Sequence, residues 1–256
     1  MTAHVRQFKC LDDNFGVLVH DPETGATAAI DVPEAGPVLA ELAAAKWNLT
    51  EILVTHRHKD HVGGIPEVRA KYPNVRVIVP HAEADQIEGD NIKAHEGDVI
   101  RVGRLAAKVI ETPGHTVGHI VYWFEDESLL FAGDTLFAMG CGRVFETPAD
   151  VMWNSLMKIA ALPPETQLYC GHEYTLSNGR FALTIEPGNE LLQARMKEVA
   201  ALRDAGKFTL PCTLAIEFAT NPFLRAEEDE IRRTVGMPNA DVVDVFAEVR
   251  QRKNKF

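Results

Sequence analysis

The chain has 256 residues, with 26 Lys+Arg against 37 Asp+Glu and a formal net charge of −11. That length can bury one large core or two modest ones, and 46% hydrophobic with 25% charged residues is an ordinary globular composition. The acidic balance argues against a nucleic-acid or anionic-membrane binder, and no apolar run reaches the length of a spanning helix. The first five residues have neither the basic start nor the apolar run of a signal peptide. The four cysteines, at 10, 141, 170 and 212, are scattered and form no CxxC. A cytoplasmic protein without a disulfide framework is therefore expected.

Short apolar runs bounded by turn residues predict strands over 14–20, 27–32, 51–55, 76–79, 105–110, 119–124, 128–132 and 167–170. Helical spacing falls at 38–47, 64–71 and 148–161. Strands mixed with helices at this spacing predict an α/β layered domain. From residue 176 on the pattern changes to helices over 189–205, 226–235 and 240–253, joined to the first part through 175–189. The last of these has acids toward its start and bases at its end, which suits a helix dipole. The charge divides the same way. Residues 1–175 carry 14 basic and 25 acidic side chains, whereas residues 176–256 carry 12 of each. Two domains, 1–175 and 176–256, are expected.

Four segments repeat one context, an apolar strand followed by a turn and then a metal-ligand type. Thr55-His56-Arg57-His58-Lys59-Asp60-His61 follows the first of these strands. In extended backbone His56 and His58 share a face. Asp60 and His61 come where Gly63-Gly64 lets the chain turn. His115 follows Thr112-Pro113-Gly114, Asp134 follows Ala132-Gly133, and His172 follows Cys170-Gly171. A lone His after a turn is more often structural, and a lone Asp after a strand is more often a helix cap. Four such segments in one chain reverse that expectation. His119 reads as a supporting residue, and His4, His20, His81 and His95 carry no assigned role. No GxSxG nucleophile motif occurs.

HxHxDH, with TPGHTxGH, FAGDTLF and CGHEYT, resembles the metallo-β-lactamase superfamily. Gly140-Cys141-Gly142-Arg143, Asn221-Pro222-Phe223-Leu224-Arg225 and Arg250-x-x-Lys253 narrow the resemblance to the glyoxalase II family, the hydroxyacylglutathione hydrolases. The resemblance implies an αββα sandwich with a C-terminal helical domain that binds glutathione. It implies two divalent metals, Zn by default with Fe or Mn tolerated. His56, His58 and His115 would hold one ion and Asp60, His61 and His172 the other, with Asp134 bridging. Asp60 and Asp134 would be the catalytic carboxylates. The implied reaction is hydrolysis of S-(2-hydroxyacyl)glutathione by a metal-bridging hydroxide, with S-D-lactoylglutathione giving glutathione and D-lactate in methylglyoxal detoxification.

The resemblance also implies substrate contacts from Arg143, Phe145, Tyr174, Arg250 and Lys253. Phe145 stands where the family often has Tyr. The segment 145–148 reads shorter than the usual loop. Residues 250–255 hold four cations and no acid, which suits a ligand with two carboxylates. The implied partner is a small glutathione thioester, with no nucleic acid and no membrane, and the protein is expected to be a monomer. A persulfide dioxygenase, or another metallo-hydrolase of the superfamily, is the alternative. Cys141 and Cys170 are read as packing residues.

Overall fold

The computed structural model describes residues 2–256, which form two compact units. The first unit comprises, among the described residues, 2–111 and 116–133. Its first sheet holds β1 (His4–Cys10), β2 (Asn14–His20), β3 (Thr27–Ile30), β4 (Glu51–Leu53), β5 (Arg76–Pro80) and β6 (Ile92–Ala94), in that order. β1, β2 and β3 are antiparallel, and β3 to β6 run parallel. Helix α1 (Ala35–Ala45) crosses from β3 to β4, and α2 (Lys59–Val62) and α3 (Ile65–Lys71) cross from β4 to β5.

The crossover helices cover the parallel strands, so β3, β4 and β5 are buried almost throughout, whereas the edge strand β6 is mostly exposed. Leu18, Ala29, Ile52, Val77 and Val79 pack with Val38, Leu42, Ile65 and Val68 in one buried cluster. The second set of strands is β7 (Val99–Val102), β8 (Leu105–Glu111), β9 (Ile120–Phe124) and β10 (Leu129–Phe131), all antiparallel. Tyr122 on β9 donates its hydroxyl to the Val54 carbonyl at 2.8 Å. That bond fixes the chain where it leaves β4.

The second unit comprises 112–115 and 134–256. It contains the hairpin β11 (Leu136–Phe137) and β12 (Gly140–Cys141), then α4 (Ala149–Ala160) and β13 (Gln167–Tyr169). There follow α5 (Thr175–Ile185), α6 (Glu190–Asp204), β14 (Cys212–Thr213), α7 (Leu214–Thr220), α8 (Asp229–Val235) and α9 (Val242–Lys255). β13 and β14 pair antiparallel. Ala182 of α5 packs with Leu192 and Val199 of α6 and with Met139. Trp153 of α4 meets Phe246 of α9 with ring centroids 5.6 Å apart.

Every strand read from the sequence forms, within two residues at each end. One expectation is corrected. Residues 175–189, read as the junction to the helices, hold the whole of α5. Its sequence, TLSNGRFALTI, has little intrinsic helix preference. Burial of Asn178, Gly179, Phe181, Ala182 and Ile185 overrides that weakness. The sequence also gave no strong sign of β1, of the short strands β6, β7, β11, β12 and β14, or of α7. Among the described residues no helix is long and apolar enough to cross a membrane.

Candidate metal centre

The first unit carries four of the expected ligands on the loop leaving β4. β3 and β4 are parallel, so their C-terminal ends emerge side by side, where α/β sheets place ligands. His56 Nε2 and His58 Nδ1 stand 3.1 Å apart. His56 and His61 have ring centroids 4.1 Å apart. His61 Nε2 lies 3.7 Å from Asp60 Oδ2. One ligand atom of His56 comes within 4.8 Å of one from His58 and of one from His61, and Asp60 and His61 are equally close. His56 and His61 are buried, whereas Asp60 is only half-buried.

The remaining ring nitrogens are held from behind. His61 Nδ1 lies 2.8 Å from Asp31 Oδ2, and His56 Nδ1 lies 3.0 Å from Thr55 Oγ1. Asp31 in turn accepts the Thr55 amide at 2.7 Å and its hydroxyl at 2.8 Å. Asn14 Nδ2 donates to the Asp60 carbonyl at 3.0 Å and to Asp60 Oδ2 at 3.1 Å. Glu83, wholly buried, accepts the Arg57 amide at 2.7 Å and the Gly118 amide at 3.0 Å. His119 is buried and stacks on His56, with centroids 4.8 Å apart, and completes this backing.

The second unit carries the other three ligands. Asp134 Oδ2 sits between His115 Nε2, at 3.5 Å, and His172 Nε2, at 3.4 Å. These spacings are longer than a good hydrogen bond. They match the edge of about 3.4 Å between two ligand atoms on one tetrahedral ion. His115 Nδ1 donates to the Arg143 carbonyl at 3.1 Å, which leaves Nε2 as the ligand atom. The His172 ring stacks on Tyr174 at 4.6 Å, with planes 6° apart. Gly142 lets the hairpin close on Asp134, since a Cβ there would lie 2.0 Å from the Asp134 carbonyl oxygen. Imidazole and carboxylate donors, with the second ring nitrogens of His56, His61 and His115 fixed from behind, suit divalent metal.

The five expected substrate contacts all lie in the second unit. Arg143 is exposed. Phe145 is 62% exposed, with its ring edge-on to His115 at 5.7 Å. Arg250 is buried under Phe223, and its Nη1 donates to the Cys141 carbonyl at 2.8 Å. Lys253 Nζ donates to the Ser177 carbonyl at 3.2 Å and lies between the rings of Phe181 and Phe256. Burial, helped by the Arg250 charge, pulls the Lys253 ammonium down to about 8.

All four cysteines are buried and reduced, and burial raises each thiol, including Cys141 and Cys170. None is a thiolate nucleophile at neutral pH.

Sequence reasoning missed Asp31, Asn14, Glu83, Asn178 and Glu217. Asp31 had a usable signal, because it follows an apolar strand as Asp134 does. Glu83 and Glu217 had none.

Residues 16–172 match the family described as the metallo-beta-lactamase superfamily, and residues 173–256 match the hydroxyacylglutathione hydrolase C-terminus. A Rhodopseudomonas palustris protein named hydroxyacylglutathione hydrolase is 56% identical over 254 residues, covering 99% of both chains. A Nitrobacter winogradskyi protein of the same name is 54% identical over 255 residues, covering 100% of both. Among solved structures, ETHE1 from Myxococcus xanthus matches with a TM-score of 0.66 at 25% identity, covering 98% of both chains. The fold is that of the metallo-β-lactamase superfamily, and the chain belongs within it to the hydroxyacylglutathione hydrolase family.

Proposed function

We propose that this protein hydrolyses S-(2-hydroxyacyl)glutathione thioesters, with S-D-lactoylglutathione the preferred form, to glutathione and the free 2-hydroxy acid. The observation that carries the reading is the match of residues 173–256 to the hydroxyacylglutathione hydrolase C-terminus, in a chain that also carries the His and Asp side chains expected as ligands. The superfamily alone leaves the substrate open. In this reading residues 1–175 bind metal and residues 176–256 bind glutathione, in a cytoplasmic monomer that removes methylglyoxal-derived thioester.

The two half-sites supply seven ligands for two divalent ions, which we assign as zinc. His56, His58 and His115 would hold one, and Asp60, His61 and His172 the other, with Asp134 serving both. Bound metal supplies an activated water and a Lewis acid for the thioester carbonyl. Asp60, its Oδ2 oriented by Asn14, and Asp134 are the carboxylates that orient the attacking water. Arg143, Arg250 and Lys253 answer the two glutathione carboxylates, and Tyr174 and Phe145 line the acyl end. A thiol leaving group with a pKa of about 8.5 departs without a strong general acid. Metallated protein should release free thiol from S-D-lactoylglutathione. It should act far more slowly on the D-lactoyl thioester of N-acetylcysteamine, which lacks both glutathione carboxylates. Equal turnover of the two would contradict the glutathione assignment.

A further inference from the structure

The β11–β12 hairpin is held, residue by residue, by side chains that follow residue 175. Asn221 Nδ2 donates to the Phe137 carbonyl at 3.1 Å and to the Gly140 carbonyl at 3.0 Å. Asn178 Nδ2 donates to the Ala138 carbonyl at 3.1 Å. Glu217 Oε2 accepts the Met139 amide at 2.7 Å. Arg250 Nη1 donates to the Cys141 carbonyl at 2.8 Å. Each residue from 137 to 141 thus gives one backbone polar group to a C-terminal side chain. The holders brace one another, since Asn221 Nδ2 also donates to Glu217 Oε2 at 2.9 Å and Asn221 Oδ1 accepts the Phe223 amide at 3.0 Å.

Asn178, Glu217 and Asn221 are 5%, 0% and 0% exposed, so no water competes for these bonds. Met139 has φ +52, a left-handed conformation that a methionine rarely adopts unless its surroundings impose it. The hairpin leads directly into Gly142 and Arg143. Asp134, on the other side, is buried between two imidazoles, whereas Arg143 is exposed and takes its place from the backbone.

We propose that Asn178, Glu217 and Asn221 are positioning residues that fix the 137–141 backbone and thereby aim Arg143 at the glutathione end of the substrate. This rests on the glutathione thioester reading above. The C-terminal helices then have two tasks, contributing Arg250 and Lys253 and setting the geometry of a strand that precedes them.

Asn221→Asp tests the first holder, because it keeps the shape and turns an oxygen toward the Phe137 and Gly140 carbonyls and Glu217. KM for S-D-lactoylglutathione should rise about tenfold or more, while kcat falls less than about threefold and metal content stays at the wild-type value. Glu217→Gln keeps an acceptor for the Met139 amide, whereas Glu217→Met, of similar size, keeps none. The Gln variant should hold KM within about twofold of wild type, and the Met variant should reproduce the rise. Should Asn221→Asp fail to fold, the Glu217 pair carries the test.

A lowered melting temperature with wild-type KM, or a Gln variant as impaired as Met, would overturn the positioning role. Wild-type protein inert toward S-D-lactoylglutathione would remove the functional reading and this inference with it. A turning-over wild type with unmoved KM in the variants removes the positioning role alone.

Discussion

Asp31 ties two histidines into one arrangement. Its Oδ2 takes His61 Nδ1 and the Thr55 hydroxyl, and that hydroxyl lies against His56 Nδ1. Asp31 thereby fixes the His61 ring and leaves Nε2 as the ligand atom. Its φ of +55 is one that Asp and Asn tolerate better than most residues. Asp31→Asn should therefore keep the backbone and weaken zinc affinity about 10–100-fold, read by competition with a chromophoric chelator. Unchanged affinity would contradict this role.

Lys253 gives a pH prediction. Its ammonium titrates at about 8, so the cationic form is complete below that pH and is lost above it. KM for S-D-lactoylglutathione should rise several-fold between about pH 7 and 9.5, because a neutral amine cannot pair with a carboxylate. Lys253→Arg should flatten the profile, since guanidinium stays charged throughout. A wild-type KM independent of pH would count against the contact. Folding carries the opposite sign. A depressed lysine pKa means that the unfolded chain binds more protons between about 8 and 10.5, so this group favours folding as pH rises there.

At the level of elements, α6 was legible from its apolar spacing and its cap, and α5, held by burial, was not. Asn189 starts the run of Leu191, Leu192, Met196, Val199 and Leu202, and in the structure it caps α6. Its side chain accepts the Leu192 amide at 3.0 Å and donates to the Ala219 carbonyl at 2.8 Å. Asn189→Ala should cost about 1–2 kcal/mol of unfolding free energy, measured by urea denaturation. A loss under about 0.3 kcal/mol would show that the cap is dispensable.

Helix α5 had no such signal. Its Ser, Asn, Gly and Thr read as a connector, and only Phe181, Ala182 and Ile185, buried by later helices, make it a helix. The turns that carry the expected ligands stand out in the sequence for a physical reason. A buried strand must end in a turn at the sheet's edge, and His or Asp at such an end marks a site. The buried carboxylates Glu83 and Glu217 come from segments distant from those they hold, and no local pattern records the backbone amides that they accept.

For the whole molecule, the acidic excess of residues 1–175 and the basic run over 250–255 belong to different tasks. In the proposed function, carboxylates such as Asp60 and Asp134 serve cations, and the C-terminal bases, together with Arg143, serve an anionic thiol conjugate. The fold class and the family could be read from the chain. The hairpin holding by Asn178, Glu217 and Asn221 could not, because it depends on contacts between residues about 40 to 80 positions apart.

The central claim, metal-dependent hydrolysis of a glutathione thioester, meets its most direct test in one assay. S-D-lactoylglutathione hydrolysis is followed before chelation, after exhaustive chelation, and after zinc is restored. Turnover should be abolished by the chelator and recovered with about two zinc ions per chain. Turnover that survives complete metal removal, or fully metallated protein that does not hydrolyse the thioester, would contradict it.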